Sequence, residues 1–250
     1  MNNTNVRALL GSSSKCGNQE YFEHAALAVQ KFLGRPNPGQ PILFFPYARV
    51  DKKKWDQYAQ DVAVFFAKYG YNILSAHTLD LSSHTKQGKI FDKVSAVFVG
   101  GGNTWCLLDE MRNHDLDITL GYRVSSGMKY IGFSAGTVLA CPTVKTTNDM
   151  MIRLPKNLRN KKVNGLGFVN FQINPHFVSG EWVPNHRGET REQRIAEYHL
   201  EESKAVVGLP EANWLRVHGS NAMLEGDANA TIFERSGATI WETETSRLFY

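Results

Sequence analysis

Gly132-Phe133-Ser134-Ala135-Gly136 sets a serine between two glycines in the G-x-S-x-G pattern, directly behind an apolar run of strand length. A serine on so sharp a strand-to-helix turn stands clear of its neighbours, and glycine on either side keeps Cβ atoms out of the adjoining backbone. Ser134 is therefore the candidate nucleophile. The same turn leaves the Ala135 N–H at a helix start, without a helical acceptor, where it can bind a developing oxyanion. Gly100-Gly101-Gly102-Asn103 follows another apolar segment, and the N–H of Gly102 is best placed to act as the second donor. Neither G-x-G-x-x-G nor G-x-x-x-x-G-K-[ST] occurs, which weakens a phosphate-binding reading of that run.

A serine hydroxyl attacks only when a general base takes its proton, and histidine suits that task near neutral pH. Of the eight histidines, His24, His77, His84 and His114 have no special context. His176 lies in Asn174-Pro175-His176-Phe177, where the proline interrupts the apolar run Phe168 to Ile173 and leaves the ring at a strand's carboxyl end. The base needs a carboxylate to fix its tautomer. Glu211, in Gly208-Leu209-Pro210-Glu211, and Asp149, in Thr146-Thr147-Asn148-Asp149-Met150, both qualify, and spacing does not decide between them. Arg191 and Arg194, three apart at the start of a helix, share one face. One of them can aim a guanidinium at an anionic substrate group; the plainer alternative is pairing within that charge-rich first turn.

These residues need a frame that brings distant segments to one edge. Apolar runs at Val6 to Leu10, Pro41 to Ala48, Tyr71 to Leu79, Ser95 to Val99 and Tyr130 to Phe133 alternate with helical stripes. Gln19 to Leu33, Trp55 to Gly70 and Thr104 to Met111 carry those stripes, so the class is α/β with a mostly parallel sheet flanked by helices. After Ala205-Val206-Val207, four short strands follow in quick succession from Asn213 to Glu242, the pattern of C-terminal antiparallel hairpins. Arg153 to Lys162 reads as a solvated basic loop, with a substrate lid as the bolder alternative. No internal repeat divides the 250 residues, and a single domain over 1–250 is expected.

Composition closes off several classes. With 42% hydrophobic and 21% charged residues the chain can bury a core, and its net charge of +4 is too small and too dispersed for nucleic acid binding. Three cysteines without C-x-x-C spacing exclude a disulfide framework or a cysteine zinc site and suggest reduced thiols. The first residues show no apolar run behind a basic cluster, and no later stretch reaches the roughly 18 apolar residues of a membrane helix, so a cytoplasmic protein without membrane attachment is expected.

Taken in order, the glycine run, the serine turn, Cys141-Pro142-Thr143, the Asp149 segment, the His176 segment, Gly188-Glu189-Thr190-Arg191-Glu192-Gln193-Arg194 and the Glu211 segment strongly resemble the peptidase E family of α-aspartyl dipeptidases. The resemblance implies a fold like that of class I glutamine amidotransferases, a flavodoxin-like three-layer arrangement. It implies a serine peptidase that cleaves Asp-X dipeptides after an N-terminal aspartate, with no metal or other cofactor, as a monomer or homodimer. On that footing Ser134 matches the nucleophile, His176 the base, Glu211 the triad acid with Asp149 as competitor, and Gly102 and Ala135 the oxyanion donors. Arg191 matches the arginine that holds the aspartyl side chain, with Asn103 beside it on the substrate. A cyanophycinase-like or esterase activity, or an aspartyl-peptide-binding protein without catalysis, are the alternatives. Three features depart from the bacterial pattern: Thr137 stands where alanine is common, Ala212 replaces a glycine after the acid, and the stretch from Ser134 to His176 is longer, through Arg153 to Lys162.

Overall fold

Strands buried on both faces belong in a sheet covered twice, and every residue of Ile42–Phe45 and Ala96–Val99 is buried. The computed structural model describes residues 4–152, 163–180, 188–243 and 246–248. In chain order the elements are β1 (Arg7–Gly11), a 3₁₀ turn (Glu23–Ala25) running into α1 (Ala26–Leu33), β2 (Ile42–Phe45), α2 (Trp55–Ala67), β3 (Ile73–Ser75), α3 (His84–Phe91), β4 (Ala96–Val99), α4 (Thr104–Asn113) and α5 (Leu116–Ser125). Then come β5 (Lys129–Phe133), α6 (Ala135–Leu139), β6 (Gln172–Pro175), α7 (Arg191–Glu201), β7 (Val206–Leu209), β8 (Asn213–His218), β9 (Asn221–Gly226), β10 (Ala230–Glu234), β11 (Gly237–Trp241) and β12 (Ser246–Leu248).

The larger sheet has the order β12-β9-β8-β1-β5-β4-β2-β3, parallel from β3 to β1 and antiparallel beyond. Alternation along its strands sorts the core into two layers. Leu9, Ile42, Phe44, Phe98, Ile131 and Phe133 face one way, onto Val29, Tyr58, Val62, Phe65 and Phe66 of α1 and α2. Leu10, Leu43, Phe45, Val97, Val99 and Tyr130 face the other, onto α4, α5 and α6. The second sheet, β11-β10-β7-β6, joins that second layer through Ile173, Val207, Leu209 and Ile232. The α/β class, the flanking helices and the C-terminal hairpins are therefore present. The two hairpins part company: β8 and β9 extend the parallel sheet, while β10 and β11 edge the smaller one, in which β6 and β7 run parallel.

Three boundaries differ from the sequence reading for local reasons. The helix drawn from Gln19 starts late because Phe22 sits at φ 60, its ring packed against Phe65, Phe98 and Phe133 rather than in helical register. The strand drawn from Tyr71 to Leu79 has only three residues. It is an edge paired with β2 alone, and the Thr78 hydroxyl donates to the Ser75 carbonyl, turning the chain into 3₁₀ geometry. The run Phe168 to Ile173 pairs only from Gln172, and Pro175 ends β6 inside the ladder. The loop Arg153 to Lys162 lies outside the described residues. Among the described residues no helix is long and apolar enough to cross a membrane, and no group of three or more His, Cys, Asp or Glu is arranged to hold a metal ion.

Across β8 and β9, Arg216 donates to Glu225 through Nε at 2.6 Å and Nη2 at 2.8 Å, and the Trp214 indole adds a third donor at 2.7 Å. Burial raises the Glu225 pKa, but these donors and the Arg216 charge outweigh it and hold the carboxyl below its ordinary value. A carboxyl depressed in the folded state adds stability above its unfolded pKa and loses it as pH falls through the lower folded value. Melting temperature is therefore expected to fall with acidification below the ordinary 4.5, and Glu225→Gln to lower it at pH 7 while flattening that acid slope. Equal slopes for both proteins would remove Glu225 from the acid response. The hairpin matters to the site because β8 begins two residues after Glu211.

Candidate active site

The chain leaves β5 at Phe133 and enters α6 at Ala135, so Ser134 alone makes the corner, at φ 52 and ψ −112. That backbone is uncommon for a residue with a Cβ and is held by its surroundings. The Ser134 N–H donates to Gly11 O at 3.0 Å and its carbonyl accepts from Val138 at 3.0 Å. A Cβ on Gly132 would lie 2.6 Å from Gly136 O, and one on Gly136 would lie 2.2 Å from Val99 O, so both flanking glycines are required by backbone contact. Thr137 is fully buried with its hydroxyl 2.7 Å from Gly11 O and 2.8 Å from Gly132 O, tying the corner to β1 and β5. An alanine at this position would lack the tether.

From the second sheet comes the imidazole. His176 follows the last residue of β6, and its Nε2 is 2.8 Å from Ser134 Oγ while its Nδ1 is 2.6 Å from Glu211 Oε1. Glu211 arrives from the carboxyl end of the parallel neighbour β7, where Pro175 pairs with Leu209. Burial raises the Glu211 pKa, but hydrogen bonding, first from His176 and then from Ser13, together with the neighbouring His176 and His24, outweighs it, and the carboxyl stays below its ordinary value. Ala212 follows at φ 58, in the left-handed region that favours glycine.

Asp149 is engaged elsewhere. Its Oδ2 accepts from the Thr104 N–H at 2.7 Å, the Thr104 hydroxyl at 2.6 Å and the Thr147 hydroxyl at 2.9 Å, at the positive end of α4. Asn103 caps the same helix: its Oδ1 accepts from Cys106 N–H at 3.0 Å and its Nδ2 donates to Met150 O at 2.9 Å. A capping box between Thr190 and Gln193 starts α7 and sets out its two arginines. Arg194 lies 3.6 Å from Glu189, the local pairing considered above. Arg191 is half-buried, and its buried Nη1 has no hydrogen-bond partner among the described residues. Burial, then the Arg194 charge, pushes its pKa down, while Asp149 and Glu211 act in the opposite sense. A desolvated cation in this condition is stabilised by any anion that reaches it.

Two polar side chains at the site carried no signal in the sequence. Ser12, fully buried past the end of β1, donates to Leu209 O at 3.0 Å and accepts from the His176 N–H at 2.8 Å. It clamps His176, which itself sits at φ 57, to the strand that delivers Glu211. Asn174 donates to Thr146 O at 2.8 Å and leaves a buried Oδ1 without a partner among the described residues, lining a groove of about 590 Å³ with Asp149, Arg194 and Tyr198. A serine after a strand and an asparagine before a proline are too common to single out without the fold.

A parallel sheet that delivers a serine on a strained corner, beside a histidine held by a carboxylate, has the arrangement of a nucleophilic hydrolase. The model described as Peptidase family S51 matches residues 8–225, and the chain belongs to that family. It is 38% identical over 229 residues to peptidase E of Nostoc sp., covering 91% of this chain and 89% of the relative. Peptidase E of Streptomyces coelicolor is 38% identical over 233 residues, covering 93% and 89%. Among solved structures, a peptidase from an acI-B1 actinobacterium matches with a TM-score of 0.73 at 18% identity, covering 99% of this chain and 98% of that one, a likeness of fold. The chain is thus a serine peptidase by family.

Proposed function

We propose that the chain hydrolyses dipeptides with an N-terminal aspartate. Ser134 Oγ attacks the Asp-X carbonyl while His176 Nε2 takes its proton; the imidazolium then protonates the departing amine, and water releases aspartate by the reverse sequence. Glu211, the carboxylate on Nδ1, fixes the tautomer and stabilises the charged ring. The N–H groups of Gly102 and Ala135 hold the tetrahedral oxyanion. Arg191 receives the substrate's β-carboxylate, with the remaining Asn103 amide hydrogen directed to the same residue. One observation carries this reading: an imidazole bridges Ser134 and Glu211 at 2.8 and 2.6 Å, and Arg191, within electrostatic reach of Glu211, has a buried donor without a partner among the described residues.

The test is a comparison of Asp-Leu with Asn-Leu, which is nearly isosteric and uncharged. A site built around a desolvated guanidinium loses its partner with the amide, and kcat/KM for Asn-Leu is expected to be lower by at least about 10²-fold. Glu-Leu, whose carboxylate is one methylene further out, is expected to be poor as well. Equal rates on Asp-Leu and Asn-Leu would remove Arg191 from recognition. A preference for simple esters or for polymeric aspartate-arginine would reassign the substrate while leaving the Ser134 chemistry in place.

A further inference from the structure

Tyr58, on α2, reads in the sequence as one more member of an apolar stripe, yet its hydroxyl is placed where packing alone does not require one. Only 4% exposed, it donates to Gly101 O at 3.3 Å and accepts from the Tyr21 hydroxyl at 3.1 Å. The glycine run is fitted around it: a Cβ on Gly100 would lie 2.4 Å from the Tyr58 oxygen. On its other flank the run is pressed on Ala48, whose carbonyl accepts from Asn103 N–H at 2.8 Å and would lie 2.4 Å from a Cβ on Gly102. Gly101 abuts the nucleophile, since a Cβ there would lie 3.0 Å from Ser134 Cβ and 3.6 Å from its Oγ.

The carbonyl that Tyr58 holds and the N–H of Gly102 belong to one peptide unit. Among the described residues there is no cis peptide bond, and in a trans peptide C=O and N–H point to opposite sides of the chain. Holding the oxygen toward α2 therefore turns the Gly102 N–H away from α2. That N–H makes no hydrogen bond among the described residues. A hydrogen bond accepted at the carbonyl also polarises the peptide and strengthens its N–H as a donor.

We propose that Tyr58 is a positioning residue for oxyanion stabilisation: its hydroxyl fixes and polarises the Gly101–Gly102 peptide so that the Gly102 N–H is aimed at the reacting carbonyl oxygen. This rests on the reading above that Gly102 is an oxyanion donor. Burial raises the Tyr58 pKa, so the hydroxyl stays protonated, and the Arg49 guanidinium 4.3 Å over its ring strengthens it as a donor.

Tyr58→Phe removes the hydroxyl and keeps the ring. Losing an oxyanion donor outright costs about 10²- to 10³-fold in kcat, and loosening one from behind is expected to cost about tenfold. For Asp-Leu, kcat should fall by about that factor with KM within about twofold, because the carbonyl oxygen gains its charge only in the transition state. The distinguishing readout is inhibition by an aspartyl aldehyde, which forms a tetrahedral adduct, against inhibition by free aspartate. The aldehyde should weaken by the same factor as kcat and aspartate should not change. Tyr21→Phe, which leaves Tyr58 in place but unsupported, should move kcat and aldehyde affinity the same way by a smaller factor. Wild-type kcat in Tyr58→Phe, or a lower kcat with undiminished aldehyde affinity, would overturn the proposal. If both variants failed to fold, a merely structural Tyr58 would be the result. Absence of aldehyde inhibition in the wild-type enzyme would overturn the oxyanion reading itself, and Tyr58 with it.

Discussion

Ser134→Ala is expected to lower kcat/KM for Asp-Leu by about 10⁴- to 10⁶-fold, with a residue of catalysis left to the oxyanion donors and to binding. The hydroxyl is the proposed reacting group, and its one hydrogen bond among the described residues is to His176 Nε2, so its removal deletes the chemistry and little of the fold. Alanine inherits the φ of 52 at no new steric cost, because serine already carries a Cβ there. Stability should therefore change by less than about 1 kcal/mol, measured as a denaturant midpoint. Binding should survive as well: Arg191 and the α4 end are untouched, and calorimetry on the inactive variant should give an Asp-Leu affinity close to the wild-type KM where chemistry limits turnover. Wild-type turnover in Ser134→Ala would transfer the nucleophile to another group. Loss of binding along with turnover would mean that the serine supports the substrate pocket instead.

How much of this was readable from the residues depends on how local each determinant is. The serine corner was legible because its requirement is covalent and short-range: two glycines, a strand before and a helix after. His176 was legible from a proline that fixes where a strand stops. The acid was not, since Glu211 and Asp149 both sit in loops behind apolar runs, and only strand register separates them. Parallel pairing of β6 with β7, Pro175 against Leu209, brings Glu211 beside His176, whereas Asp149 is drawn to the α4 N-terminus by Thr104 and Thr147. No pattern in the sequence states that β6 and β7 are neighbours in a second sheet. Ser12 shows the same limit more sharply, since it acts on residues 164 and 197 positions away. The two arginines of α7 share one helix face by spacing, yet among the described residues Glu189 engages the second of them, a distinction that needed the cap geometry of Thr190.

That register makes the two carboxylates separable by experiment. Glu211→Gln keeps the shape but presents an amide to His176 Nδ1, and the amide nitrogen, as a donor, favours the tautomer with its proton on Nε2. A ring protonated there cannot take the Ser134 proton, and the imidazolium formed in the transition state loses its counter-charge. The expected loss in kcat is about 10³- to 10⁴-fold with KM little changed, because Glu211 contacts the ring and the loss falls in the chemical step. Asp149→Asn keeps an acceptor at the start of α4 and removes a charge that the helix dipole and two threonines had stabilised. Its cost should be about 1 kcal/mol of stability and less than about tenfold in kcat. Rates are best compared near neutral pH, where Glu211, held below the ordinary carboxylate value, is ionised. A large loss in Asp149→Asn with near-normal Glu211→Gln would invert the assignment, making Asp149 the group that supports the base and the 2.6 Å contact of Glu211 a bystander.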